Sequence, residues 1–403
     1  MSSSNKVTIW NSTFVGATVA NIAFSFSHFI TTPLIAPYAS FLGAAPALVG
    51  LLAGLYSAVA FLMRPVTGPA MTTLNKKKLM TATFALGIAV NLIYAMFGTI
   101  PMFVVGRLLH GVMYGFVGSL CMSIASDSLP KEKYASGFGI FSVSGVFGQA
   151  IGPSVGIWLQ DLGNGIAGDA MGYRFVFFGG AFFYLIGLVF CFLLKGQRSL
   201  TREERAALGP WYKSIIALPS LPYAVMMAFY SMGFILYATY MVTYGEQYNI
   251  ANISLFFIVN AVGTVAARPI GGPISDKKGP KILFIPGTIL FALSMVMLAM
   301  AGSLAPVVIA GFIGGLGWGL LQPAVQACCM SAVPAEQSGA AANTNFLCVD
   351  FGFFVGPTIG GIIFSLTSSY HSVYAFGLAP IVIAITIYAV YTLAGRKKAL
   401  EQG

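Results

Sequence analysis

Long apolar runs alternate with short polar stretches along all 403 residues. A helix needs about 20 mostly apolar residues to cross the hydrocarbon core of a bilayer. Twelve runs meet this need, at residues 12–35, 46–69, 79–98, 101–124, 135–159, 172–194, 221–244, 251–271, 281–300, 305–328, 341–365 and 372–394. Their apolar positions are continuous, whereas strands of an outer-membrane barrel alternate every second residue. The pattern predicts an all-α integral membrane protein with twelve transmembrane helices.

Composition sharpens this reading. Only 8% of residues are charged and 57% are hydrophobic, against about 25% charged in a typical soluble protein. So few charges could not dress the surface of a soluble fold of this size, which excludes a cytosolic enzyme, a secreted domain and a disordered chain. The net charge of +10 is read by position, because loop Lys and Arg set membrane orientation. Lys76, Lys77 and Lys78 follow span two, and Lys131 and Lys133 follow span four. Lys195, Arg198, Arg202, Arg205 and Lys213 lie between spans six and seven, Lys277, Lys278 and Lys281 follow span eight, and Arg396, Lys397 and Lys398 follow span twelve. All these segments fall on one side, which the positive-inside rule makes cytoplasmic. The opposite loops carry only Asp161, Asp169, Arg174 and Glu246. Both termini are therefore expected in the cytoplasm, with the protein in the cell membrane and no cleaved signal peptide. Cys121, Cys191, Cys328, Cys329 and Cys348 sit in apolar runs without metal-ligand spacing and read as small buried hydrophobes.

The longest cytoplasmic link, 195–220, divides the chain into an N-terminal half (1–194) and a C-terminal half (221–403) of six spans each. Within the link, Thr201 and Glu204 fit a capping box and Gly209 and Pro210 a helix stop, predicting a short surface helix before Trp211 and Tyr212 at the interface. The halves repeat at a constant offset of 204 residues. Arg64, Pro65, Gly68 and Pro69 match Arg268, Pro269, Gly272 and Pro273; Gly111 and Gly115 match Gly315 and Gly319; Pro130 and Glu132 match Pro334 and Glu336. Gly148, Gly152, Pro153 and Gly156 match Gly352, Gly356, Pro357 and Gly360. Two pseudo-symmetric six-helix halves suggest a transporter with its site between them near the midplane.

These residues resemble the major facilitator superfamily over the whole chain. Gly272, Asp276, Lys277, Gly279 and Lys281 fit the signature after the second span of a half, whereas the first copy has Thr72 for the Asp and Asn75 for the Gly. Arg107, Gly111 and Gly115 fit the span-four signature. Gly139, Gly148, Gly152, Pro153 and Gly156 fit the span-five signature, with Ile157 in place of its last Gly. That third pattern implies an exporter working as an antiporter, above all the twelve-span drug:proton type. Thr18 to Ala23 resembles the span-one signature of drug exporters, with Gly16 where an acid is expected. This departure argues against a strictly cationic substrate. The resemblance further implies that spans one, four, seven and ten line the cavity, and that Asp276 latches onto the start of span five near Tyr134, with Arg268 nearby. Arg64, Lys277, Gly152, Pro153, Gly356 and Pro357 join Asp276 and Arg268 as the gating set. The prolines remove a backbone hydrogen bond and can bend their helices, while glycines allow close helix packing in lipid.

Polar residues within spans are costly and become functional candidates. Asn21, Ser25, His28 and Thr32 share one face of span one, and Arg107, His110 and Tyr114 one face of span four. Tyr223, Tyr230, Tyr237 and Tyr244 repeat every seven residues in span seven, the inner pair expected in the cavity and the outer pair at the interfaces. Trp318, Gln322 and Gln326 line one side of span ten, and Gln149 lies in span five. Asp350 is the sole carboxylate placed well inside the hydrophobic zone. It is the expected site of the coupling proton, with Arg107 as the neighbour that tunes it and His28 or His110 as a second site. The segment Gly163 to Gly168 matches G-x-G-x-x-G but lies in an external loop with no preceding strand, which opposes a dinucleotide site. There is no P-loop and no nucleophile–base spacing.

The expected protein is a monomeric, proton-coupled exporter of small organic compounds. Its partners are a small-molecule substrate, protons and the bilayer, with no cofactor, metal, nucleic acid or enzymatic activity. The competing reading is an organic-anion or sugar facilitator or symporter that uses Arg107 and the histidines. A membrane sensor would call for a signalling domain in addition.

Overall fold

A computed structural model describes residues 9–130, 134–194, 215–334 and 337–401. Lys131, Glu132, Lys133, the linker helix expected around Thr201, Trp211, Tyr212 and Glu336 lie outside the described residues, as do the side chains of Thr72, Tyr134, Gly139 and Arg396 to Lys398. Among the described residues there is no strand, and all twelve predicted spans are helical.

Span one runs Ser12–Thr31 and continues, after a 3-10 turn at Thr32–Leu34, as Ile35–Phe41. Pro33 lies in that turn, where its missing N–H favours a break in the α-helical ladder. Spans two to six are Pro46–Thr73, Lys76–Met96, Ile100–Ser128, Tyr134–Ala167 and Asp169–Cys191. Spans seven to eleven are Leu221–Gln247, Leu255–Lys278, Phe284–Met300, Leu304–Ser331 and Ser338–Thr367. Span twelve is built of Tyr370–Phe376 and Leu378–Glu401. Most helices outrun the predicted spans, because hydropathy marks only the hydrocarbon portion of a helix whose hydrogen bonding continues into the interface.

The segment Gly163 to Ala167, expected in a loop, is instead the helical end of span five, and Gly168 at φ 76° alone separates it from span six. The cause is close packing: a Cβ on Gly163 would lie 2.6 Å from the Gly172 Cα. The two copies of the loop signature also differ for a local reason. Gly279 adopts φ 82°, a left-handed backbone suited to glycine, whereas Asn75 is extended and its side chain caps Lys78 N–H. Asn75 therefore supplies a cap where the second half supplies a turn.

The chain forms two compact units. One comprises Met1–Thr31 and Pro69–Ala207, the other Thr32–Gly68 and Leu208–Gly403. In the first, span one packs on spans four, five and six, and span three packs on four and six. Its core holds Phe14, Ala17, Phe84, Met113, Val117 and Tyr184. In the second, span seven packs on spans ten, eleven and twelve, and span nine on ten and twelve. The sequence repeat thus reappears as a repeated set of helix neighbours. Glycine makes it possible: a Cβ on Gly148 would lie 2.3 Å from Ser25 Oγ, and one on Gly352 only 2.2 Å from the Ala228 carbonyl oxygen. Span two as far as Gly68 belongs to the second unit, where Gly50 and Gly54 let it lie against span eleven: added Cβ atoms would come within 2.2 Å of Pro357 O and 2.5 Å of Phe354 O.

Candidate functional site

Span one places its polar stripe against two neighbours. Asn21 Nδ2 donates to Ser144 Oγ at 2.8 Å, and Ser25 Oγ donates to the Gly145 carbonyl at 2.5 Å. These two residues tie span one to span five. His28, one turn further, turns to span four, with its ring 5.1 Å from Tyr114 and 6.1 Å from His110. His110 Nδ1 lies 3.4 Å from both Tyr94 Oη and Arg107 Nη1. The first unit thus assembles Arg107, His110, His28, Tyr114 and Tyr94, and Arg107 is only 2% exposed. Tyr94 was not among the residues expected; it sits alone in span three without a periodic signal. Gln149 is half-buried in span five and makes no hydrogen bond among the described residues.

The second unit holds a buried ion pair. Arg64 Nε donates to Asp350 Oδ2 at 2.7 Å. Arg64 is 6% exposed and Asp350 1%, and the guanidinium also lies 5.0 Å over the Phe346 ring. Arg64 was expected as a charge at the cytoplasmic end of span two; it is buried, and it takes the place expected of Arg107 beside Asp350. The correction has a topological cause: the two positions are 286 residues apart, and only the packing of span two on span eleven joins them. The repeat does not reproduce the pair. Arg268 stands 204 residues after Arg64, but the position 204 residues before Asp350 is Val146. Arg268 Nε has no hydrogen-bond partner among the described residues. Asp276 and Lys277 are exposed in the last turn of span eight and form no ion pair among the described residues.

The tyrosines of span seven are tied down by their neighbours. Thr288 Oγ1 donates to the Phe284 carbonyl, so Tyr230 Oη donates to Thr288 at 2.6 Å. Ser294 Oγ donates to the Ala310 carbonyl, so Tyr237 Oη donates to Ser294 at 2.7 Å. Both hydroxyls are spent within the helix bundle. Tyr244, expected at an interface, is instead fully buried and donates to the Ala301 carbonyl at 2.5 Å. Beside it His371 Nε2 lies 2.8 Å from the same carbonyl and its ring stacks on Tyr248 at 4.1 Å; no periodic signal had marked His371. Replacing Ser294 by Ala leaves the buried Tyr237 hydroxyl without its acceptor. A loss of about 1–3 kcal/mol is expected, read as a lowered thermal midpoint that Tyr237→Phe in the same chain relieves.

Trp318 stacks on Phe234 with centroids 4.1 Å apart and planes 13° apart. Gln322 and Gln326 follow at one-turn intervals, their amides 3.5 Å from each other. Gly152 and Gly356 touch span one and span seven: a Cβ would lie 2.8 Å from Phe29 Cβ and 2.6 Å from the Met232 carbonyl oxygen, respectively. Pro153 and Pro357 lie inside their helices, and Tyr240 Oη donates to the Pro357 carbonyl at 2.6 Å. Among the described residues no group of three His, Cys, Asp or Glu side chains could hold a metal ion.

The sequence profile of the Major Facilitator Superfamily matches residues 17–258 and 223–402. The multidrug resistance protein MdtG of Salmonella schwarzengrund (strain CVM19633) is 26% identical over 407 residues, covering 96% of each chain. MdtG of Salmonella typhimurium (strain LT2) is 25% identical over the same length and coverage. Among solved structures, a peptide transporter POT in complex with sulfate aligns with a TM-score of 0.76 at 16% identity, covering 96% of this chain and 95% of that one. A bacterial homolog of the human lysosomal transporter Spinster, inward-facing and unoccupied, aligns with a TM-score of 0.75 at 15% identity, covering 95% and 96%.

Proposed function

Because this chain belongs to the Major Facilitator Superfamily, whose profile spans nearly its whole length, we propose that it is a proton-coupled antiporter that exports small organic compounds by alternating access. It is a multi-pass membrane transporter of small molecules and not an enzyme. The export direction is supported by the likeness to MdtG proteins, named for multidrug resistance. The span-five glycine and proline pattern supports the same direction. In this reading the protein is a monomer in the cell membrane with both termini cytoplasmic, as the one-sided basic loops favour.

The observation that carries the coupling is the buried Arg64–Asp350 pair. A carboxylate in an apolar span costs much free energy unless it is paired. Binding a proton removes its charge and dissolves the pair, which leaves the Arg64 guanidinium to seek a new environment. A proton can thereby bias one arrangement of the spans over another, and a bias is what coupling requires. Removing one partner of a buried pair is worth about 3–5 kcal/mol, enough to reverse a two-state population.

In proteoliposomes with an imposed pH gradient, the wild type is expected to accelerate substrate flux in proportion to the gradient. Asp350→Asn is expected to lose that acceleration while retaining gradient-independent exchange. Gradient dependence equal to that of the wild type would refute Asp350 as the coupling site. The cluster of Arg107, His110 and His28 favours a second reading, transport of an organic anion, since a buried guanidinium suits a carboxylate.

A further inference from the structure

Span ten carries no Asp, Glu, Lys or Arg between Leu304 and Ser331. Its polar side chains are nevertheless concentrated. Trp318, Gln322 and Gln326 stand at i, i+4 and i+8, and therefore on one face. Both glutamines are half-buried rather than sealed in the core. Among the described residues their amides meet only each other, at 3.5 Å, and the Trp318 indole N–H makes no hydrogen bond. A primary amide offers two donors and two acceptor lone pairs, so most of this capacity is unused inside the unit. Facing lipid, such groups would lose water without compensation, at a cost of several kcal/mol each. Half-buried and with this capacity open, the face is suited to a wet path rather than to lipid.

The Trp318 end of the stripe is packed among aromatic rings. Phe234 backs the indole in parallel at 4.1 Å, and Phe353 continues the stack at 6.5 Å with planes 24° apart. Phe291 meets the indole at a tilt of 48°. Trp318 is 7% exposed, so its orientation is held by its neighbours and not by solvent.

We infer that the Trp318–Gln322–Gln326 face of span ten is a substrate-reading rail for planar, uncharged aromatic compounds that carry hydrogen-bonding groups along one edge. The packed aromatic rings give the rail an apolar end for the compound's ring system, and the two amides read its polar edge. An amide recognises neutral donors and acceptors alike, and a face without charge has nothing to offset the desolvation of an ionic ligand. The inference rests on the transport reading above and names its substrate class.

A matched series tests it: 2-naphthamide, 2-naphthoate and 2-naphthylmethylammonium, with binding measured on full-length protein in detergent and no gradient. Naphthamide is expected to bind at least about tenfold tighter than either ion, a factor that corresponds to about 1.4 kcal/mol. Gln322→Met, of similar volume, is expected to weaken naphthamide about tenfold. Gln322→Glu is expected to shift preference to the ammonium compound, a gain that misfolding cannot imitate. Trp318→Leu should weaken all three compounds together. Preference for naphthoate that ignores Gln322 would overturn the rail and favour the Arg107 cluster. Equal binding of the three, or none, would also overturn it. Binding as expected with no proton-driven flux would overturn the coupling reading alone.

Discussion

Replacing Asp350 by Ala is expected to lower the thermal midpoint of the purified protein markedly. The substitution leaves the Arg64 guanidinium buried at 6% exposure with its 2.7 Å partner removed, at a cost of about 3–5 kcal/mol. Arg64→Met alone strands the carboxylate and is expected to cost a similar amount. The double change Arg64→Met with Asp350→Leu removes both charges and both desolvation terms. Replacement of a buried pair by apolar residues is often neutral or stabilising, so the double variant is expected to melt near the wild type. It should still show no gradient-driven flux, because the carboxylate proposed to take the coupling proton is gone. Stability and coupling are thereby separated. A double variant as unstable as the single ones would mean the pair is held by more than its own charges, and a double variant with intact coupling would move the proton site elsewhere.

The second large effect is expected from the repeated glycines. Gly148→Val and Gly352→Val place branched side chains where even a Cβ would lie 2.3 Å from Ser25 Oγ and 2.2 Å from the Ala228 carbonyl oxygen. Backbone cannot turn aside as a side chain can, and both positions meet it, at Ser25 and Phe26 beside Gly148 and at Ala228 beside Gly352, so the two variants should suffer alike. Overpacking costs about 1–3 kcal/mol and occasionally more. Both variants are expected to fold poorly, measured as the monodisperse fraction after extraction. Gly118 serves as the control: it is helical, with nothing within 4 Å of an added Cβ. Gly118→Ala should raise the midpoint, since Ala gains about 0.5–1 kcal/mol over Gly in a helix. Equal effects at Gly118 and Gly352 would show that helix propensity, not interhelical contact, governs these positions.

These two outcomes mark how far the sequence reaches. Gly148 and Gly352 were legible as packing positions because their spacing recurs at a fixed offset and close helix contact in lipid demands small residues. Asp350 was legible as exceptional because a carboxylate in an apolar span is rare. Its partner was not, since Arg64 is remote in the chain and Arg107, placed inside a span, was the expected neighbour. Tyr230 and Tyr237 were legible as a stripe, yet a stripe has no address. The hydroxyls of Thr288 and Ser294 on span nine, which receive them, carry no spacing that pairs them with span seven.

Order along the chain and membrane residence were therefore determined by the sequence alone. Hydropathy, basic loops and glycine spacing each act within one span or one repeat, where neighbours in sequence are neighbours in space. Tertiary structure alone decided which polar groups meet. It set Arg64 against Asp350, brought Tyr94 to His110 and reduced the link between spans five and six to Gly168. Each of these depends on the rotation and depth of one helix against another, which side-chain packing sets and no single helix encodes.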